Sequence, residues 1–179
     1  MHNNMVCSES GHHFLPNISV ATIFTLPAIE KAILELKCRP DERIGLAKKI
    51  HYKGKKIFAI LILMSEEDYI VQFRNWSALD DRLPLSKYDA QKIAGEAGSC
   101  LADEYQWKLL PEAFPLNMWE HHLEFVKETI LPFVDEPELV ATGGFGKISK
   151  VKILASQQTL CTQEVFQSFP MPYRAEDML

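Results

Sequence analysis

Apolar residues recur at helical spacing through most of the first 128 positions, and an extended, β-branched pattern follows them. Leu26, Ile29, Ile33 and Leu36 fall on one stripe, which predicts an amphipathic helix. Thr25 is placed to cap its first turn, and Pro27 is tolerated there because that N–H would have no partner. Pro40 ends the segment. Asp41 is placed to cap the next helix, with Ile44, Ala47 and Ile50 on its buried side and Lys53-Gly54 as its stop. Residues 57–64, IFAILILM, form the longest apolar run. As a helix it spans about 12 Å against a hydrocarbon core of about 30 Å, so it predicts a buried segment and no membrane span. Periodicity alone leaves residues 55–64 open between helix and strand. Ser65-Glu66-Glu67-Asp68 has the look of a fresh N-terminal cap, which favours two consecutive helices, the second lined by Ile70, Val71, Phe73 and Trp76.

Residues 80–84, DDRLP, read as a loop. The stretch 86–105 is helix-like but weakened by Gly95 and Gly98, each costing about 1 kcal/mol against Ala. Residues 106–111, QWKLLP, close it with a large apolar group, and Trp119, Leu123 and Val126 fit a short amphipathic element, while His122 to Glu128 read equally well as extended. From Thr129 the chain is extended through ILPFVDEPEL. VATGGFGKISKVKIL then sets β-branched residues on both sides of a glycine cluster, a hairpin signature. The expected class is α+β: a mainly α-helical domain followed by a C-terminal antiparallel β-hairpin. The expected organisation is a disordered polar tail over 1–17, a helical domain over 18–128, the hairpin over 129–154 and an irregular tail over 155–179.

Composition narrows the function classes. At 179 residues, 47% hydrophobic, the chain has the size and apolar content of a folded domain. A net charge of −5 argues against a nucleic-acid partner, which usually meets a basic stripe. Cys7, Cys38, Cys100 and Cys161 are too scattered for a C-x-x-C site and read as buried small hydrophobes in a reducing compartment, against a disulfide framework as the alternative. The first 17 residues lack the basic start and apolar stretch of a signal peptide, so an intracellular, cytoplasmic protein is expected.

Most candidate chemistry dissolves on inspection. Neighbouring side chains diverge on a helix or a strand, so His12-His13 and His121-His122 make poor metal pairs and no metal site is expected. Glu66-Glu67-Asp68 and Asp80-Asp81 read as a helix start and a solvated loop. There is no G-x-S-x-G elbow and no Cys–His signature. Trp76, Trp107 and Trp119 read as core anchors, with Trp107 alternatively marking an interaction surface.

One motif remains. Residues 140–151, VATGGFGKISKV, resemble the glycine-rich nucleotide loop of protein kinases, which reads G-x-G-x-x-G-x-V. The first family glycine falls on Ala141, the second on Gly143 and the third on Gly146. Phe145 takes the aromatic tip position, and Ile148 replaces the valine. A G-G-F-G turn by itself is more often an ordinary hairpin. The lead-in ETILPFVDEPEL, however, resembles the entry to the kinase domain of a large class of filamentous-fungal protein kinases. KKIFAILILM at 55–64 and EYQWKLLPEAF at 104–114 are similar to pieces of their N-terminal extension.

The resemblance implies weak ATP contact through Val140, Ala141, Gly143, Gly144, Phe145, Gly146 and Ile148, with no catalytic residue and no metal site of its own. Kinases also need a strand lysine, its glutamate partner, a catalytic aspartate and a metal-binding aspartate. The 27 residues after Lys152 contain no lysine, and no H-R-D or D-F-G occurs in the sequence. The expectation is a kinase-like chain cut off after its nucleotide loop and not competent by itself. Two alternatives stand beside it. One is a non-enzymatic helical module that binds a protein partner; the other is a fragment of a longer, active serine/threonine kinase.

Overall fold

A computed structural model describes residues 1–75, 79–114, 124–144, 146–159 and 167–170, with backbone alone at 2, 73–75 and 167–170. The expectations for Trp76, Trp119, Leu123, His121, His122, Phe145 and Cys161 lie outside the described residues.

Among the described residues, six α-helices build the body: α1 (Asn17–Ile23), α2 (Leu26–Ile33), α3 (Pro40–Lys53), α4 (Lys55–Met64), α5 (Lys87–Ala94) and α6 (Ala97–Asp103). The apolar run does become a helix. Five successive α4 residues, Ile57, Phe58, Ala59, Ile60 and Leu61, are buried, as a helix apolar on every side must be. α4 is therefore the centre of the core, reached by Val20 and Phe24 from one side and by Ile50, Ile70, Leu101 and Leu109 from others. Phe24 meets Phe58 edge to face, with ring centroids 6.0 Å apart. Among the described residues, no helix is long and apolar enough to cross a membrane.

Several local expectations are corrected. Thr25 precedes α2 in extended conformation, but its hydroxyl makes no capping bond; Pro27 in the first turn leaves fewer N–H groups to cap. Pro40 does not precede α3 but opens it, since its fixed φ suits a first helical position, and Asp41 sits inside that turn. Ile44 is 64% exposed. The α3 seam runs along Leu46, Ala47 and Ile50, and two steps of about 100° turn Ile44 away from Leu46. Ser65 does not start a helix but ends α4, in left-handed conformation with its N–H bonded to Ile62 O, while Glu66 N–H bonds to Leu61 O. Residues Glu67–Asn75 then form 3-10 turns and no second α-helix. The 80–84 loop contains a 3-10 turn at Asp80–Arg82.

The 86–105 helix is two helices. Ser86 Oγ accepts from Asp89 N–H at 3.1 Å to cap α5, and Gly95, at φ +56°, turns the chain into α6. Gly98 lets the two helices touch: an ideal Cβ there would lie far inside van der Waals distance of the Ala90 carbonyl and Gln91 N.

Residues 1–17, expected as a disordered tail, contain a two-strand antiparallel ribbon, β1 (Val6–Cys7) with β2 (His13–Phe14). Phe14 and Leu15 are fully buried. Leu15 N–H bonds to Lys108 O and Glu9 N–H to Phe133 O, each at 2.7 Å.

The C-terminal hairpin is present as β3 (Glu138–Gly143) and β4 (Gly146–Val151). The stretch expected to be irregular adds β5 (Gln167–Pro170), antiparallel to β4, giving the order β3-β4-β5. Pro170 is tolerated because β5 lies at the sheet edge. A second, small core of Phe114, Phe133 and Val151 lies under the base of the hairpin, with the two rings stacked 6.0 Å apart. Backbone bonds cross the 128 boundary from Glu112 N–H to Ile130 O and from Phe114 N–H to Gln157 O, and Asn17 Nδ2 bonds to Gln157 Oε1. The hairpin base is thus sewn into the helical body.

Candidate functional site

The motif residues lie on both strands of the hairpin. Gly143 faces Gly146 across a two-residue turn, Thr142 faces Lys147, and Ala141 faces Ile148. Val140 falls at a register shift between Leu139 and Ala141, where a bulge adds local twist. Ala141, Thr142, Gly143 and Gly144 are exposed, as are Leu139, Val140 and Ile148. The structure therefore brings Val140, Ala141, Gly143, Gly144, Gly146 and Ile148 onto one projecting ribbon; Phe145 lies outside the described residues. Below the tip, Lys150 pairs with Glu138 at 3.4 Å and Lys152 with Asp135 at 3.1 Å. Lys147 stands next to the third motif glycine.

The glycines of this turn are unforced. A Cβ added at Gly144 or Gly146 would meet nothing within 4 Å, and at Gly143 only Gly146 O at 3.9 Å. Neither Gly143 nor Gly144 takes a left-handed φ. Glycine in a strand weakens it, through backbone entropy and the missing side chain, so among the described residues the hairpin carries that loss without a packing reason of its own. Gly98 is the contrast, since its neighbours leave no room for a side chain.

The other candidates settle into structural roles. His12 Nδ1 lies 3.1 Å from Ser10 Oγ inside the β1–β2 loop. Among the described residues, no three His, Cys, Asp or Glu converge as a metal site would require. Trp107 is half-buried and its indole N–H donates to Ala102 O at 3.2 Å.

Asp80 does more than occupy a solvated loop. Its Oδ2 accepts from Lys56 N–H at 3.1 Å and its Oδ1 from Ile57 N–H at 3.0 Å. It caps α4 from a distance, where Gly54 has no side chain to do so. Burial pushes its carboxyl above the ordinary range, against those two N–H groups. Burial likewise pulls the Lys56 ammonium below the usual lysine range, against the attraction of Asp80. A carboxyl raised in the folded state contributes most below its ordinary value of 3.8, and the contribution is lost as pH rises through the raised value. Wild type is therefore expected to lose stability relative to Asp80→Asn as pH rises above the ordinary carboxyl value of 3.8, read by urea unfolding. A flat or opposite difference contradicts this assignment.

Pattern reading missed a groove on the helical body. A cleft of about 290 Å³ has Ala32, Leu36, Phe58 and Ile62 on its floor and Glu35, Glu66, Glu67 and Asp68 at its rim. The usable signal was an acidic run just past the C-terminal end of an apolar helix, where the dipole disfavours it. Compared with known protein families, curated proteins and solved structures, the chain matches none.

Proposed function

We propose that the 138–151 hairpin is the phosphate-facing flap of a kinase-like nucleotide site, mounted on a helical module. The observation that carries this reading is the unforced glycine cluster. Three β-carbons are missing from an exposed ribbon that has room for all of them. A ligand that needs close approach of backbone N–H groups gives that loss a use, and ATP phosphates are such a ligand. Lys147 adds positive charge beside the turn. The aliphatic positions Val140 and Ile148 supply exposed apolar surface on the same ribbon, where a base could rest. The sequence carries no H-R-D or D-F-G for in-line transfer, so these 179 residues hold nucleotide without turning it over.

The same open space makes the test clean, because Gly143→Val with Gly146→Val is expected to fold as well as wild type. Mg-ATP at about ten times its Kd should stabilise wild type by about 1.4 kcal/mol, or about 3–6 °C in midpoint. The double variant should show no shift, and neither protein should transfer phosphate to a generic substrate. An unshifted wild type, or an equal shift in the variant, favours the second reading, in which the hairpin only closes the core and the helical body is a protein-interaction module. The backbone bonds that sew its base to the body are what that reading rests on.

A further inference from the structure

α4 is charged against its own dipole. Lys53, Lys55 and Lys56 surround its start, and Glu66, Glu67 and Asp68 follow its end. Each such placement is unfavourable to the helix. Asp80 offsets the basic end by capping it. At the acidic end, Lys37 answers one carboxylate: its N–H donates to Asp68 Oδ1 at 3.0 Å, and its Nζ lies 3.2 Å from Oδ2. Those bonds hold the Asp68 carboxyl below the usual range, with the backbone N–H the larger cause. Glu35, Glu66 and Glu67 keep the rim negative.

These acids border an apolar trough. The 290 Å³ cleft continues, through the shared Ala32, Phe58 and Ile62, into a second of about 180 Å³ floored by Ile29, Phe24 and Met1. A small cation would leave the floor unused, and a purely apolar ligand would strip water from the carboxylates without replacing it. A molecule with an apolar face and cationic flanks satisfies both. We infer that the groove between α2 and α4 docks a basic amphipathic peptide segment, its apolar side chains over Phe58 and Ile62 and its Lys or Arg on the rim. This is helix-in-groove recognition, with charge complementarity selecting the partner.

The probe is a dye-labelled peptide of about 14 residues, four helical turns, with Leu and Lys at amphipathic spacing, followed by fluorescence anisotropy. It should bind wild type, and it should bind about tenfold more weakly to Glu35→Lys/Glu66→Lys/Glu67→Lys and to Ala32→Trp, which fills the trough at constant charge. Charge reversal at Glu9, Glu96 and Glu136 should leave affinity within about twofold. The rim variant lies outside the core, so it remains readable if Ala32→Trp fails to fold, a point checked by circular dichroism. Equal binding of a Gly–Lys peptide of the same charge would overturn the inference. So would unchanged affinity in the rim variant, or a wild-type dimer broken by Ala32→Trp, which would place a second copy in the groove. All measurements are made without nucleotide, so failure here leaves the hairpin reading intact.

Discussion

Gly98→Ala is expected to destabilise the fold by about 3 kcal/mol, a fall of about 6–12 °C in unfolding midpoint. By helix propensity alone the same change in α6 should help by about 1 kcal/mol. Packing decides the sign. The new methyl would overlap the Ala90 carbonyl and Gln91 N, which are backbone atoms of α5 and cannot rotate aside. α5 and α6 would have to separate, unpacking the buried Ala90 and Leu101. Gly45 in α3 provides the internal control, because a Cβ there meets nothing within 4 Å. Gly45→Ala should stabilise by about 0.5–1 kcal/mol. Two Gly→Ala changes of equal sign would contradict the close α5–α6 approach.

Gln106→Leu should cost about 3–5 kcal/mol, chiefly from the buried Leu85 N–H and C=O left without partners at about 1–3 kcal/mol each. Gln106 is 1% exposed. Its Oε1 accepts from Leu85 N–H at 2.7 Å, and its Nε2 donates to Leu85 O at 3.1 Å and Ala102 O at 2.7 Å. The side chain thus gives Leu85, itself 5% exposed, the pairing a neighbouring strand would give it. Leucine nearly matches the volume and supplies neither atom, so the loss is polar and not a cavity. Urea unfolding should show a lower midpoint at unchanged slope. A change under about 1 kcal/mol would mean that water reaches the Leu85 peptide once the amide is gone.

What was legible in the sequence is what repeats locally. Ile29 and Ile33 are buried on the predicted stripe, the 57–64 run is a buried helix, and the ribbon around the glycine cluster follows from its β-branched flanks. What was hidden depends on partners far along the chain. The N-terminal ribbon looks polar, yet Leu15 is anchored to Lys108 and Glu9 to Phe133. Asp80 caps a helix that begins 25 residues before it. Ser65 carries the residue type of an N-cap and serves instead as a left-handed C-cap, because α4 has just ended there. The glycine cluster itself was visible. That its glycines are not required by the hairpin could only be seen once the space around each was known. The acidic groove was out of reach for a related reason: Glu35 follows α2 and Glu66 follows α4, and only the fold brings these distant residues to the lining of one cleft.

On the proposed reading, the 143–146 turn meets phosphate oxygens through its backbone. The most direct measurement is a two-dimensional amide NMR titration of the 15N-labelled chain with Mg-ATP. The Gly143, Gly144 and Gly146 signals should move along a saturable curve, while those of Gly54 and Gly98, enclosed by packing, stay in place. Three stationary turn signals at saturating nucleotide, whatever moves elsewhere, would contradict it.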